Sequence, residues 1–472
     1  MMKKMLLPLL SALLLTGMSM QAQQRPNIVF ILADDLGYGD LGVYGQQKIK
    51  TPNIDRLARQ GMMFTRFYAG TSVCAPSRSS LLTGQHTGHT YVRGNKEIKP
   101  EGQEPLADTV QSYASMLQRA GYVTGAFGKW GLGMVGTSGA PDKKGFDVFY
   151  GYNCQRQSHR YYPTHLWSNN TRIDLEGNDL TQKKVYAPEL IQQQTLAFIE
   201  NNRSKPFFLF VPSILPHAEL SGPDDQYYKQ YENAFPEKPH QGNDYGPGAL
   251  VPGYASVEKP HATYAAMVSR LDAYVGQILD KLDQLGLTQN TIVIFSSDNG
   301  AHREGGADPV FFNSSAGLRG FKRDLYEGGI RTPFIVKWPG RVKSGSRNTF
   351  MGAFWDLMPT FTDIAGAPKP PYTDGVSLVP TLTGKGRQAQ HTYLYWEFHE
   401  DNGTQAVRIG KWKGFRKGVS KNAQAPLELY DLDKDPAEQR NIASSHPGIV
   451  KKIEGYMKEA HIESPVFPLI AQ

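Results

Sequence analysis

The residues best suited to chemistry form three short groups of polar side chains. They are Asp34-Asp35, Cys74 with Arg78, and Asp298-Asn299. The first and third groups each follow a continuous apolar run, which is typical of a strand buried on both faces. In open α/β sheets, working residues gather where such strands end. The sequence therefore predicts that these groups meet at one edge of a sheet.

The carboxylates of these groups indicate a metal site. Several carboxylates brought together without partners would repel one another strongly. A hard divalent cation would relieve that repulsion, and ligation by oxygen alone favours calcium, with magnesium as the second choice. The expected ligands are Asp34, Asp35, Asp298 and Asn299. The alternative is that each pair only caps the turn after its strand, as Asp and Asn often do.

Cys74 is one of two cysteines in the chain, the other being Cys154. It precedes a predicted helix at 77–84, whose N-terminal N–H groups favour anions. Arg78 adds a planar fork suited to a tetrahedral oxyanion. A soft thiolate is a poor partner for a hard metal, which suggests that the working side chain is not cysteine itself. A buried small hydrophobic residue and a disulfide with Cys154 remain as alternatives.

Strand and helix patterns alternate through most of the chain. Strands are predicted at 27–33, 122–127, 206–211 and 291–297, and helices at 53–61, 106–121 and 264–286. This alternation predicts an α/β fold with a large doubly wound sheet, mixed but mostly parallel and flanked by helices.

The pattern changes beyond about residue 385. Alternating segments at 392–399, 405–417 and 427–432 predict antiparallel strands, and a final helix is predicted at 447–460. We therefore expect a catalytic domain at 23–385 and a smaller C-terminal α+β domain at 386–472.

Residues 1–22 have the layout of a secretory signal peptide. Lys3 and Lys4 form a basic start, an apolar stretch follows, and Met20-Gln21-Ala22 is a small-residue end. The apolar stretch is too short for a membrane span, and the alternative is a buried N-terminal helix. We expect export, to the periplasm of a Gram-negative bacterium.

The composition is that of an ordinary soluble globular protein: 472 residues, 40% hydrophobic and 20% charged. The chain has 51 basic and 44 acidic residues, so removing Lys3 and Lys4 leaves 49 against 44, a net charge of +5. The basic residues are scattered and no zinc-finger or RNA-binding motif is visible, so no nucleic-acid partner is expected. The mild positive balance suits an anionic small substrate.

The motif Cys74-Ala75-Pro76-Ser77-Arg78, continuing to Leu82-Thr83-Gly84, resembles the signature of the type I formylglycine-dependent sulfatases. These are arylsulfatase-like and N-acetylgalactosamine-sulfatase-like members of the alkaline-phosphatase-like superfamily. The resemblance implies that a maturation enzyme oxidises Cys74 to formylglycine, an aldehyde present as its hydrate. Further matching blocks follow the family's order: NIVFILADDLGYGDLG at 27–42, Gly128-Lys129-Trp130, Leu215-Pro216-His217, SSDNG at 296–300, and LRGFK at 318–322.

The resemblance implies a role for each matched residue. The metal ligands would be Asp34, Asp35, Cys74 in its modified form, Asp298 and Asn299. Arg78, Lys129 and Lys322 would neutralise the sulfate oxygens while one hydroxyl of residue 74 attacks sulfur. His217 would protonate the departing sugar oxygen. The second hydroxyl then expels sulfate, a step that serine or cysteine could not perform.

Two other functions remain as alternatives. One is a formylglycine-dependent phosphodiester or phosphonate ester hydrolase, and the other is a silent sulfated-glycan binding protein. The second gains from one departure: many relatives have histidine where this chain has Gly131. That histidine is implicated in regenerating the aldehyde. His86 and His89, just downstream of Cys74, are the candidates to replace it.

Two segments rich in sugar-binding residue types are expected to surround the sulfate pocket. The first, 155–168, carries His159, Arg160, Tyr161, Tyr162, His165 and Trp167, and the second, 395–402, carries Trp396, Glu397 and His399. Aromatic faces stack on pyranose rings, while charged side chains bind hydroxyls. We expect Glu397 and His399 to bind a sulfated carbohydrate. The resemblance, which is greatest to sulfatases acting on galactose and N-acetylgalactosamine sulfates, implies a terminal sugar of that type. Alternatively, the aromatic residues are core between the domains.

Overall fold

The computed structural model describes residues 25–243 and 253–469. The predicted signal peptide at 1–22 lies outside these residues. Among the helices of the two described ranges, none has both the length and the apolar character needed to cross a membrane.

The strands and helices alternate along most of the described chain. The strands are β1 (Asn27–Ala33), β2 (Met62–Tyr68), β3 (Glu97–Ile98), β4 (Gly102–Gln103), β5 (Val123–Lys129), β6 (Val148–Tyr152), β7 (His165–Ser168), β8 (Thr171–Asp174), β9 (Phe207–Pro212), β10 (Thr291–Ser297), β11 (Arg331–Lys337), β12 (Ser346–Asn348), β13 (Gly352–Ala353), β14 (Leu394–Phe398), β15 (Thr404–Ile409), β16 (Trp412–Lys417) and β17 (Glu428–Asp431). The helices are α1 (Pro52–Gln60), α2 (Cys74–Thr83), α3 (Tyr113–Arg119), α4 (Ala187–Asn201), α5 (Gln226–Lys229), α6 (Pro260–Gln284), α7 (Glu327–Ile330), α8 (Leu357–Ala365), α9 (Val379–Thr383) and α10 (Pro447–Ala460).

A large mixed sheet forms the centre of the protein. Its strand order is β12-β2-β11-β10-β1-β9-β5-β6-β7-β8, with β13 also paired to β2. The middle of the sheet, from β10 to β6, is parallel, and β11 and β7 are antiparallel to their inner neighbours. This confirms the predicted fold class. The carboxyl ends of β1, β5, β9 and β10 consequently lie together.

β1 is apolar throughout because both of its faces are covered. Val29 and Ile31 belong to a core cluster that also includes α1, α4 and α6 residues. Phe30 and Leu32 face the opposite cluster, which includes residues of α2, α3 and α8. Successive side chains of a strand point to opposite faces, so a strand between two helical layers needs apolar residues at every position.

The second sheet has the order β14-β15-β16-β17 and is antiparallel throughout. Helix α10 packs on one face, and the other face joins side chains of the main sheet region in a shared hydrophobic cluster. The buried Glu327 carboxylate also links the two sheets, because it accepts hydrogen bonds from the Tyr68 hydroxyl at 2.8 Å and from Lys413 Nζ at 3.1 Å. The boundary near residue 385 stays a prediction.

Three predicted helices differ from the structure at their starts. Helix α2 begins at Cys74 instead of residue 77, α6 begins at Pro260 instead of residue 264, and α3 shows the largest difference. The sequence pattern indicated helix from residue 106, but α3 begins only at Tyr113. Ser112 caps it, since its side chain accepts a hydrogen bond from the Ser115 backbone N–H. The apolar residues before the cap fit the helical period by chance; Leu106 instead packs into the core from a loop.

Candidate functional site

Asp34 and Asp35 follow β1 directly and both enter the same buried site. Adjacent side chains of an extended strand would point to opposite faces. Asp35 has a positive φ of 60°, so the chain leaves the strand in a left-handed turn at this residue. The Asp35 N–H donates to the Asp298 carboxylate at 3.0 Å, which joins the ends of β1 and β10.

Helix α2 supplies Cys74 at its first turn and Arg78 one turn later, so both side chains lie on one face of the helix. Arg78 is fully buried; its Nε and Nη2 atoms donate to one Asp298 carboxylate oxygen at 3.0 and 2.8 Å, and its Nη1 atom donates to the Lys129 carbonyl. Ser77 also binds the segment after β10, because its hydroxyl donates to the Asp298 carbonyl at 2.5 Å. The helix is thereby fixed to the carboxyl end of β10.

Three cations compensate the three carboxylates. Lys129 Nζ lies 2.7 Å from Asp34, Lys322 Nζ lies 2.9 Å from Asp35, and Arg78 pairs with Asp298. All three carboxylates are buried, so each would be costly without a partner. The structure therefore brings together seven of the residues singled out in the sequence: Asp34, Asp35, Cys74, Arg78, Lys129, Asp298 and Lys322.

The electrostatic neighbours separate the acidities of these carboxyl groups. Burial opposes ionisation of Asp35, but the Lys322 ammonium group outweighs it and holds the pKa of Asp35 well below its usual value. For Asp298, burial and the nearby Asp34 charge raise the pKa to about 6. Asp35 and Lys322 therefore form an ion pair. Asp298 is the carboxyl group whose ionisation the neighbouring carboxylates oppose.

His217 follows β9 and lies against the same charges. Its Nε2 atom is 3.1 Å from Lys322 Nζ and 3.2 Å from an Asp35 oxygen, and its Nδ1 atom bonds the Ala218 carbonyl. Because a carbonyl can only accept, Nδ1 carries the proton and Nε2 accepts from Lys322. Burial and Lys322 lower the pKa of His217 to about 3, so the imidazole is neutral.

The oxygen atoms of this site fit a hard divalent cation. Side-chain atoms of Asp34, Asp35, Cys74 and His217 lie within 4.8 Å of one another. Asn299 donates from its nitrogen to Asp35 at 2.7 Å, while its buried Oδ1 atom has no hydrogen-bond partner among the described residues. A buried acceptor without a donor is costly, and a cation next to the carboxylates would satisfy it.

The Cys74 thiol lies against two of the carboxylates of the site. Its Sγ atom lies 3.4 Å from Asp34 and 3.8 Å from Asp35. Burial raises the pKa of the Cys74 thiol well above its usual value, although Lys129 opposes this shift. The thiol is therefore uncharged and poorly nucleophilic. Cys154 is a separate buried thiol, so the alternative of a disulfide between the two does not hold in this structure.

A cavity of about 260 Å³ opens above this charged floor. Its lining combines the expected Cys74, His217 and Lys322 with a polar wall: Asn95, Glu97, Gln103, Gln155, Arg156, His159, Arg160, Gly253, Tyr254 and Arg323. The His159 ring stacks on the His217 ring with their centroids 4.8 Å apart. The arrangement can receive an anionic group at the floor and a polar, hydroxylated group at the wall.

Sequence reasoning missed some residues that hold the floor. Glu304 accepts from Lys322 Nζ at 2.8 Å and from the Tyr254 hydroxyl at 2.9 Å. Asn95 accepts from the Ala75 N–H at 3.1 Å and so holds the first turn of α2. The sequence offered one signal for Glu304, which lies only five residues after Asn299. No residue pattern near Asn95 indicated its contact with Ala75.

The two histidines proposed to replace the missing side chain at position 131 lie elsewhere. His89 Nδ1 is 2.9 Å from the Asp374 carboxylate, and the His86 backbone N–H donates to the same carboxylate at 2.9 Å. Neither residue lines the cavity above Cys74. The prediction is wrong because α2 ends at Thr83 and its left-handed Gly84 turns the chain away from the helix axis.

The first sugar-binding segment is only partly at the cavity. His159 and Arg160 line it, whereas Tyr161 is buried and donates from its hydroxyl to the carbonyls of Ile214 and His217. Tyr162 is core, and His165 and Trp167 both hydrogen-bond to Glu101. Tyr161 therefore supports the loop that carries His217 instead of contacting a ligand.

The second segment is mainly structural. Trp396 belongs to the hydrophobic cluster between the sheets. Glu397 is fully buried and accepts hydrogen bonds from the Tyr395 hydroxyl at 2.7 Å, His399 Nε2 at 2.8 Å and His461 Nδ1 at 2.6 Å. Because Glu397 and His399 are engaged in this network and do not line the cavity, the structure does not support their predicted contact with a sugar.

Comparison with known proteins gives consistent matches along the chain. A profile of the sulfatase family matches residues 26–367, and one of the N-sulphoglucosamine sulphohydrolase C-terminal region matches residues 319–463. The chain is 31% identical to human arylsulfatase A, covering 96% of this chain and 90% of that one. It is also 31% identical to the N-acetylgalactosamine-6-O-sulfatase of Bacteroides thetaiotaomicron, covering 95% and 97%.

Solved structures share the whole architecture. Ps i-CgsB superposes with a TM-score of 0.75 at 26% identity, covering 92% of each chain. A second structure, from work on the metabolism of multiple glycosaminoglycans by Bacteroides thetaiotaomicron, superposes with a TM-score of 0.73 at 27% identity, covering 92% of this chain and 99% of that one.

The Glu397 network generates a stability prediction. Although burial opposes ionisation, His399 and His461 lower the pKa of Glu397 to about 2. Glu397→Ala leaves Arg93, 3.6 Å away, and both histidines without this carboxylate, so we expect a loss of about 3–5 kcal/mol in the free energy of unfolding. Denaturant unfolding at pH 7 measures it, with the exposed Glu176→Ala as the control.

The pH dependence follows from the sign of the shift. A carboxylate with a lowered pKa stabilises the fold above its ordinary value of about 4.3, and this stabilisation is lost as the pH falls toward about 2. The difference between Glu397→Ala and the wild type should therefore shrink below pH 4. An unchanged stability at pH 7 would contradict the assignment.

Proposed function

Because this chain belongs to the sulfatase family, whose members are sulfuric ester hydrolases, we propose that it hydrolyses the sulfate ester of a terminal galactose or N-acetylgalactosamine residue through a formylglycine at position 74 and a calcium ion. The observation that supports this most directly is the buried floor of Asp34, Asp35 and Asp298 with Arg78, Lys129 and Lys322. We further propose that residues 1–22 direct export to the periplasm.

The cations of the floor would bind the sulfate group. Lys129 and Lys322 present ammonium groups near Cys74, and Arg78 lies on the same helix face as Cys74. Each is held by a carboxylate, so its position is set before any substrate arrives, and such preorganised charge stabilises a transition state efficiently. The family's two hydroxyls on residue 74 would supply the nucleophile and the means of releasing sulfate.

The metal would be held by Asp34, Asp35, Asp298 and Asn299, with residue 74 beside them. A bound divalent cation supplies charge that lowers the pKa of a coordinated hydroxyl and offsets negative charge on sulfate. The unpaired Asn299 Oδ1 atom supports this ligand set. Oxygen ligands in this number suit calcium better than zinc.

His217 would protonate the departing sugar oxygen. Lys322 holds its Nε2 atom in place at 3.1 Å. Burial and Lys322 lower the pKa of His217. The negative charge of a bound sulfate ester near Lys322 would offset that cation and make the protonated form of His217 more accessible in the complex. Tyr161 fixes the loop through the His217 carbonyl.

The galacto-type sugar is supported by the relatives and by the cavity wall. Relatives include N-acetylgalactosamine-6-sulfatases, and Ps i-CgsB has been solved with a neocarrahexaose. The wall above the floor offers amide, imidazole and guanidinium groups of Gln103, His159 and Arg160, which are suited to hydroxyl groups.

Substrate preference tests the proposal. We expect sulfate release from 4- or 6-sulfated galactose or N-acetylgalactosamine with a kcat/KM at least about tenfold above that for the matching gluco isomers, a difference of about 1.4 kcal/mol. Matched phenyl sulfate and phenyl phosphonate esters separate a sulfatase from a phosphonate ester hydrolase. Faster phosphonate cleavage, or binding of sulfated sugars without any sulfate release, would refute the proposal.

The state of residue 74 is a second prediction. Protein made together with a maturation enzyme should yield a tryptic peptide from Phe67 to Arg78 in which the Cys74 thiol is replaced by an aldehyde. Cys74→Ser should abolish turnover and keep the fold, since the site is held by Arg78 and Ser77. Cys154→Ser is the control and should stay active. Fully active protein with an unmodified thiol would contradict the prediction.

Metal removal is a third prediction. Chelation should abolish activity, and added calcium should restore it more fully than magnesium or zinc. Asp298→Ala should reduce kcat/KM by about 10²–10³-fold and weaken calcium binding measured by calorimetry. Asp280→Ala, at a half-exposed surface pair with Arg56, is the matched control. Zinc in the active protein, or full activity without any metal, would overturn the assignment.

A further inference from the structure

The backbone at Gly131 brings a second loop over the charged floor. The segments that follow β5 and β6 stay side by side beyond the ends of these strands. The Trp130 N–H donates to the Tyr152 carbonyl at 2.9 Å, and the Gly131 N–H donates to the Asn153 carbonyl at 3.0 Å. Gly131 has a φ of 78°, in the left-handed region. Gln155, two residues after Asn153, then lies above Gly131.

The Gln155 carboxamide fills the space that a side chain on residue 131 would use. A Cβ atom added to Gly131 would lie 2.3 Å from Gln155 Nε2, far inside the contact distance. Gln155 exposes only 8% of its surface, and its buried Nε2 atom has no hydrogen-bond partner among the described residues. The loop is held by its backbone, since the Gln155 N–H donates to Gln103 at 3.2 Å.

An unpaired buried amide N–H is costly unless a ligand completes it. Gln155 lines the same cavity as Cys74, His217 and Lys322. We propose that Gln155 Nε2 donates a hydrogen bond to a sulfate oxygen of the bound ester, an inference that rests on the proposed sulfatase function. Gln155 thereby occupies the space of the side chain that Gly131 lacks.

The place of the amide at the end of β5 favours sulfate over a sugar hydroxyl as its acceptor. Gly131 comes two residues after Lys129, whose ammonium group lies on Asp34 at the floor. The amide packed onto Gly131 is therefore carried at the same end of β5 as Lys129, and Gln155 shares its cavity with Cys74, His217 and Lys322 of the site. It can orient the anion but, being neutral at all ordinary pH values, it cannot accept the proton that a histidine would.

Substitution of Gln155 tests the contact. Gln155→Ala should lower kcat/KM by about 10- to 100-fold, the usual effect of losing a hydrogen bond to a charged group. Because the contact is to sulfate, kcat/KM should fall by the same factor for a sulfated galactoside and for phenyl sulfate. Gln155→Glu keeps the volume but places a carboxylate against the anion, so its loss should exceed that of Gln155→Ala. Gln157→Glu, whose amide bonds the His165 carbonyl outside this cavity, is the control.

Substitution of Gly131 tests the same amide, because a side chain at this position would collide with Gln155. Gly131→Ala should displace the Gln155 side chain and lower kcat/KM as much as Gln155→Ala does. The double variant should have a kcat/KM no more than about threefold below that of Gln155→Ala, since both changes act through one contact. Gly136→Ala controls for backbone strain, because Gly136 has a φ of 83° in the same connection but open space around its Cβ position. Thermal unfolding of each variant checks that the fold is kept.

Binding without turnover separates this inference from the proposed function. In the Cys74→Ser background, Gln155→Ala should raise the Kd for inorganic sulfate about tenfold, a result that does not depend on which ester the wild type cleaves. An unchanged Kd, or Gln155→Ala activity within twofold of wild type on both substrates, would overturn the proposal. A loss confined to the sulfated galactoside would also overturn it, by showing a sugar contact instead.

Discussion

The compensation of buried charge at the carboxyl edge of the main sheet is the constraint on which the rest of the structure depends. Asp34, Asp35 and Asp298 are held without solvent, and their mutual repulsion must be offset by cations placed within about hydrogen-bond distance. Lys129 and Lys322 reach them from β5 and from the loop before α7. Elements that are far apart in the sequence are thus joined by ion pairs at one buried site.

That constraint explains why the parallel strands occupy the centre of the sheet. Only neighbouring parallel strands deliver several chain ends to one edge, and β10, β1, β9 and β5 do so with apolar cores on both faces. The apolar layers exclude water from the floor, which strengthens the ion pairs there and raises the cost of any unpaired group.

The second sheet contributes stability more than contact with a ligand. Its inner face completes a hydrophobic cluster with the main sheet, and Glu327 and Glu397 are buried carboxylates whose partners come from both parts of the chain. Such networks place polar residues in a pattern that resembles a binding site in the sequence. Glu397 shows the difference, because its fully buried carboxylate accepts hydrogen bonds from Tyr395, His399 and His461 and lies outside the cavity above Cys74.

The sequence by itself determined the fold class and the carboxylate members of the charged floor. Continuous apolar runs ending in Asp34-Asp35 and Asp298-Asn299 indicate strands buried on both faces with polar ends, while Lys129 and Lys322 are indicated only by the resemblance of their blocks to the sulfatase family. The shared helix face of Cys74 and Arg78 was decided by the structure, because α2 begins at Cys74 and not at the predicted Ser77. Contacts between distant loops were decided only by the tertiary structure. Gln155 over Gly131, Tyr161 behind His217 and the His86–His89 pair on Asp374 depend on how loops turn after their strands and helices. No local pattern encodes these contacts, because loop direction is set by single backbone conformations and by the partners that packing supplies.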